Sequence, residues 1–244
     1  MKAWSLVALV ALPGIVLADE IRVLSGGAAK SFVAPLAAEY REAPVSIAYQ
    51  PMGKLVQSLK GGERVDMVIV TQEVLTSLER ENVLEPGRGK ALARVGIGVA
   101  VSENAPLPDI STVEAFRKAL LAAKSVVYID PRTGTSGKHV AEVFRTLGIE
   151  KEMQAKATLG QGGYVVEPVG RGEIELGIHQ ISEILPVKGV RLAGPLPAPL
   201  QKYTVYVAAP VPGSAKAQDV ARLIAYLSSP AARATLAAAG YSAP

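Results

Sequence analysis

Two kinds of residue in this chain could do chemistry: four loops able to hold an anion, and two histidines able to move a proton. Ser25-Gly26-Gly27-Ala28, Gln50-Pro51-Met52-Gly53-Lys54, Thr71-Gln72 and Thr133-Gly134-Thr135-Ser136-Gly137-Lys138 each place small or polar residues at the expected start of a helix. There, free backbone N–H groups and the helix dipole favour negative charge, so several such ends can grip an oxyanion or a carboxylate without a metal. Ser, Thr and Gly are also ordinary helix caps. What points beyond capping is their recurrence after consecutive strands. The Gly-Thr-Ser-Gly-Lys segment lacks the glycine spacing and the final Lys-Ser/Thr pair of a phosphate-binding loop, which argues against a nucleotide hydrolase.

His179 and Gln180 end an apolar run, Leu176-Gly177-Ile178, at a position that either points into a cleft or seats a core or capping histidine. His139 lies in the first turn of an expected helix, as a supporting group or a solvated one. Tyr164 and Glu167 follow Gly160-Gln161-Gly162-Gly163, a segment able to close over a ligand or to form a mobile surface loop. There is no Gly-x-Ser-x-Gly elbow, and neither histidine has a context that marks the base of a triad. Proton transfer asks for less: one base beside an acidic C–H, once the anion is positioned.

Composition removes other chemistries. The chain has 244 residues and no Cys, which excludes thiolate metal sites, iron–sulfur clusters and a Cys nucleophile, and two histidines are too few for a multi-histidine metal site. The formal charge is a mild +4 with its Lys and Arg scattered, and aromatics make up 5%, so no basic stripe interleaved with aromatics is available and nucleic-acid binding is not expected. Lys2, the apolar run from Ala3 to Leu17 and Val16-Leu17-Ala18 read as a secretory signal cleaved after Ala18. The run is too short for the ~20 residues of a membrane-spanning helix, so a periplasmic protein without a membrane anchor is expected.

These residues need a frame to bring them together. Ile21–Leu24, Val45–Tyr49 and Asp66–Val70 read as strands, each followed by a loop and a helix, which predicts a mainly parallel sheet covered by helices. Alternation from Arg94 to Val101 predicts one longer strand, and a second region follows: helix 112–123, strand 125–129, helix 138–147, strand to Ile178 and a short helix 181–185. Gly189 to Pro199 reads as an irregular connection, Lys202–Ala208 as a strand, and 215–239 as a helix interrupted near Ser229-Pro230. The expectation is an α/β protein of two lobes, residues 19–98 with 205–244 and residues 99–204, joined by two strands. Open sheets of this kind bind ligands at the carboxyl ends of their strands, where the loops above fall.

Ile21-Arg22-Val23-Leu24-Ser25-Gly26-Gly27-Ala28-Ala29, Gly62-Glu63-Arg64-Val65-Asp66-Met67-Val68-Ile69, the Asp130-Pro131 to Phe144 unit and the Tyr203 to Gly240 stretch resemble the molybdate-binding-protein-like family of periplasmic solute-binding proteins. The resemblance implies a type 2 periplasmic-binding-protein fold, two α/β lobes hinged by two crossing strands with an anion between them. At the ligand positions the chain departs from that pattern, with Ala28, Pro51-Met52-Gly53 and Gln180 where molybdate binders carry serines and a tyrosine. An oxyanion desolvated without its donors binds poorly, which argues for a different anion. Gly177-Ile178-His179-Gln180-Ile181-Ser182-Glu183-Ile184-Leu185-Pro186 and Gly194-Pro195-Leu196-Pro197 resemble a branch that includes aconitate isomerase. That branch implies that amides at Ser25 to Ala28 and Thr133 to Gly137, with Lys54, Lys138 or Arg94, grip the carboxylates of aconitate. A base, His179 first and Glu167 behind it, then shifts an allylic proton with no metal and no organic cofactor. The alternative is a binding protein without catalysis that delivers a small carboxylate or molybdate-like oxyanion to an ABC permease, or a sensor or scavenger on the same fold.

Overall fold

The computed structural model describes residues 20–244; the expected signal segment lies outside them. The described residues form ten strands: β1 Ile21–Gly26, β2 Val45–Gln50, β3 Met67–Thr71, β4 Lys90–Val95, β5 Ile97–Ser102, β6 Val126–Ile129, β7 Ala157–Gly160, β8 Leu176–Gln180, β9 Val190–Pro195 and β10 Thr204–Pro210. The α-helices are α1 Lys30–Glu39, α2 Met52–Lys60, α3 Gln72–Arg80, α4 Val113–Ala122, α5 Thr135–Thr146, α6 Glu150–Lys156, α7 Glu167–Gly170, α8 Ile181–Ile184, α9 Ala217–Leu227 and α10 Arg233–Ala238. Among the described residues no helix is long and apolar enough to cross a membrane.

The strands build two five-stranded sheets, β2-β1-β3-β10-β4 and β7-β6-β8-β5-β9. In the first, β1 runs parallel to β2 and β3 while β10 is antiparallel to β3 and β4. The second repeats the plan: β6 is parallel to β7 and β8, and β5 is antiparallel to β8 and β9. Both sheets are buried on two faces, which is why β3 and β6 read as continuous apolar runs. Period 2 sorts Val23, Met67 and Ile69 to one side with Phe32 and Leu36, and Leu24, Val68 and Val70 to the other with Leu55 and Leu78.

Three departures from the sequence reading have identifiable causes. The expected single strand from Arg94 to Val101 is two strands in different sheets, broken at Gly96. Val95, Ile97, Val99 and Val101 are all buried on both sides of the break, so the alternation continues where the hydrogen-bonding partners change. Gly189 to Pro199 is not wholly irregular, since it contains β9, an edge strand on β5. Its Gly194 and Pro195 are tolerated at an edge with a register shift between Val99 and Ala100 on the partner. Third, α5 begins at Thr135 rather than Lys138, so Thr135, Ser136 and Gly137 form its first turn.

The chain passes between the sheets at Gly96 and again in the segment leading to β10. These two crossings are tied by Gln201, whose Oε1 accepts from the Ile97 N–H and whose Nε2 donates to the Ile97 carbonyl, both at 2.8 Å. The carboxamide lies against Gly96, where an added Cβ would sit 3.1 Å from it. A side chain here supplies the pairing a neighbouring strand would give.

Candidate functional site

A cleft of about 170 Å³ lies where the carboxyl ends of strands from both sheets meet. One wall is Gly27 and Ala28 after β1, Pro51 and Met52 after β2, and Thr71 at the end of β3; the other is Ile129, Thr133 to Ser136, and His179 and Gln180 at the end of β8. Each wall therefore presents helix N-termini. At α5 the first helical hydrogen bond runs from Lys138 N–H to the Gly134 carbonyl (3.1 Å), leaving the N–H groups of Thr135, Ser136 and Gly137 without helical acceptors. Thr71 caps α3 by accepting from the Val74 N–H at 3.4 Å.

Asp130 shapes the loop that aims α5. Its carbonyl accepts from the N–H groups of Thr133 (3.0 Å) and Gly134 (3.1 Å), and its buried carboxylate accepts from Arg132 through both backbone (2.8 Å) and Nη2 (2.6 Å). The Arg132 side-chain and backbone hydrogen bonds outweigh burial and hold the carboxyl at about 2, below its ordinary 3.8. A depressed carboxyl contributes stability that is present above its ordinary value and lost as pH falls toward the folded one. The melting-temperature gap between wild type and Asp130→Asn is accordingly expected to narrow as pH falls from about 4 to 2. Thermal scans across that range check it, and a constant gap would refute it.

His179 is 1% exposed, and both ring nitrogens are engaged: Nδ1 meets Ser136 Oγ at 3.4 Å, while Nε2 meets the Gly163 carbonyl at 3.1 Å and pairs with the Glu183 carboxylate. Gly163 reaches it from a segment in which Gly162 (φ 139°) and Gly163 (φ 66°) both occupy backbone conformations that favour glycine. Gln180 accepts from the Tyr206 hydroxyl (3.2 Å) and donates to Thr204 Oγ1 (3.0 Å), fixing its carboxamide at the base of the cleft. Burial pushes the Tyr206 phenol well above its ordinary 10.0, so it stays a neutral donor.

Of the residues expected from sequence, Gly27, Ala28, Pro51, Met52, Thr71, Thr133, Gly134, Thr135, Ser136, His179 and Gln180 line this cleft, as do Gln161, Gly162 and Gly163 of the glycine-rich segment. The others do not. Ser25 is buried and donates to the Gly26 carbonyl at 3.1 Å; Gly26 packs beside Met52, and Gly137 sits behind the lining against Ile129. Gly53 and Lys54 are exposed on α2, and Lys138 is exposed on α5. Arg94 is exposed on β4, donating to Ser242 Oγ at 3.1 Å, with its guanidinium 4.9 Å from the Tyr203 ring centre. Glu167 is exposed, 4.0 Å from Arg171. His139 donates Nε2–H to the Leu200 carbonyl at 2.7 Å and is a structural group. Among the described residues no Lys or Arg lines the cleft, so its donors are N–H groups, hydroxyls and amides. Sequence reasoning missed Glu183 and Tyr206. A spacing of four signals proximity within a helix, but His179 ends a strand and Glu183 lies in the next helix.

The model of the family described as bacterial extracellular solute-binding protein matches residues 21–242. A curated relative, aconitate isomerase from Pseudomonas sp., is 31% identical over 217 residues, spanning 86% of this chain and 82% of that protein. The periplasmic molybdate-binding protein of Azotobacter vinelandii superposes with a TM-score of 0.75 at 17% identity, covering 92% of this chain and 99% of that one. The tungstate-binding protein of Desulfovibrio alaskensis superposes with a TM-score of 0.69 at 12% identity, covering 93% and 99%. These structures share its two-lobed type 2 periplasmic-binding fold. With the family model spanning nearly every described residue, the chain belongs to the bacterial extracellular solute-binding proteins.

Proposed function

We propose that this protein is a periplasmic aconitate isomerase, interconverting the cis and trans isomers by an allylic 1,3-proton shift. The observation that carries this reading is His179: a buried imidazole, held at both nitrogens, in a cleft lined by residues at the starts of helices. The helix starts bind the carboxylates. The base takes a proton from the methylene beside the double bond, and the electron pair spreads over the allyl unit into the carboxylates. N–H donors stabilise that charge, and a proton returned to the other end completes the shift. The relative named aconitate isomerase supports the substrate. A cleavable signal over residues 1–18 belongs to the same reading.

One observation favours a second reading, capture of a small carboxylate or a molybdate-like oxyanion for an ABC permease: the cleft's donors are uncharged, a set adequate for a bare oxyanion. The deciding experiment mixes the purified protein with cis-aconitate and follows the olefinic protons by NMR. The isomerase produces the trans isomer at a rate proportional to protein. Stabilisation by tricarboxylates or oxyanions without turnover would leave capture in its place.

A further inference from the structure

The neighbours of His179 differ in kind at its two nitrogens. Nε2 faces two acceptors, the Gly163 carbonyl and the Glu183 carboxylate, and Nδ1 faces a hydroxyl, Ser136 Oγ. In a neutral imidazole the nitrogen aimed at acceptors carries the hydrogen, which leaves the lone pair on Nδ1. Ser136 then donates to Nδ1, and its oxygen retains lone pairs of its own. It is 5% exposed, lies in the first turn of α5 and lines the cleft, whereas Glu183 comes from α8, its side chain 13% exposed. Three elements thus bring a hydroxyl, an imidazole and a carboxylate into one chain of hydrogen bonds.

We propose that Ser136, His179 and Glu183 act as one proton relay, with Nδ1 as the basic atom, Ser136 Oγ as the atom that meets the ligand's acidic C–H, and Glu183 as a positioning residue that fixes the tautomer. As the C–H bond breaks, its proton passes to Ser136 Oγ while the serine's own proton moves to Nδ1, and the electron pair stays on the ligand's allyl unit. The reverse transfer, as a proton is delivered to the other end of that unit, restores neutral serine and imidazole. The kinetic role rests on the isomerase reading; the tautomer does not.

The test has two arms. The chain contains two histidines, so long-range proton–nitrogen NMR of the ¹⁵N-labelled, unsubstituted protein shows two imidazoles, separated by a His139→Gln sample. With both rings neutral, His179 is expected to carry hydrogen on Nε2 and none on Nδ1; a proton on Nδ1, or rapid averaging of the two tautomers, overturns the relay. In the kinetic arm, Ser136→Ala and Glu183→Gln are each expected to lower kcat by about 10-fold or more, with KM changed by less than about 3-fold, and Ser136→Thr, which keeps a hydroxyl, to recover part of the loss. Wild-type kcat in Ser136→Ala removes the serine step. If the wild-type protein shows no turnover, the isomerase reading fails, and the NMR arm still decides the tautomer.

Discussion

Replacing His179 by alanine is expected to lower kcat for aconitate interconversion by about 10²- to 10⁴-fold, the range that a positioned general base contributes. The imidazole is the best placed base in the cleft, because its lining otherwise offers the high-pKa Tyr206 phenol and the Glu183 carboxylate already committed to Nε2. The effect should fall on kcat rather than on binding. The donors at Gly27, Ala28 and Thr133 to Ser136 belong to other elements, so tricarboxylates should still raise the melting temperature of the variant. His179→Gln fills more of the vacated volume and controls for packing. NMR turnover assays beside thermal scans measure both quantities, and an undiminished kcat would remove His179 as the base.

The second large effect concerns a residue that touches no ligand. An alanine Cβ at Gly137 would lie 2.2 Å from the Ile129 carbonyl oxygen and 2.7 Å from its Cγ2. Ile129 belongs to β6, held between β7 and β8, so the strand cannot yield and the first turn of α5 must lift. Overpacking of this kind costs about 3 kcal/mol, or about 6–12 °C in melting temperature for a protein of this size. Displacing that turn moves Thr135 and Ser136, so the stabilisation by bound tricarboxylate should be lost as well. Gly53→Ala is the matched control: it too lies early in a helix, but its added Cβ meets nothing within 4 Å, and its melting temperature should stay at or slightly above that of wild type. A Gly137→Ala protein melting within about 1 °C of wild type would show that α5 adjusts without lifting.

The parts of the fold that were legible are those whose signal is local. Met67 to Val70 is a continuous apolar run because both faces of β3 are covered, and the helices after β1, β2 and β3 follow loops of small and polar residues. Where the chain changes sheets, local pattern says nothing: Val95 and Ile97 continue one alternation although their partners lie in different sheets. The site divides the same way. Backbone donors at helix starts could be read from Thr71 and Thr133 to Ser136. The side-chain cations Lys54, Arg94 and Lys138 could not be placed, because which face of an element a long side chain takes is settled by its neighbours, as Arg94 shows by reaching Ser242. Glu183 was silent for a related reason: its meeting with His179 depends on the angle between β8 and α8.

The interleaving of the two sheets also sets an order in time. All five strands of the second sheet lie between Ile97 and Pro195, so that lobe can assemble from one continuous stretch of chain. The first sheet cannot close on itself early, because β4 is joined to β3 solely through β10, which begins at Thr204, more than a hundred residues after β4 ends. Contacts so distant in sequence form late. Until β10 docks, β3 and β4 each present an unpaired edge of the kind that recruits strands from other molecules. The partly made protein is therefore most exposed to aggregation in the lobe that comes first in the chain.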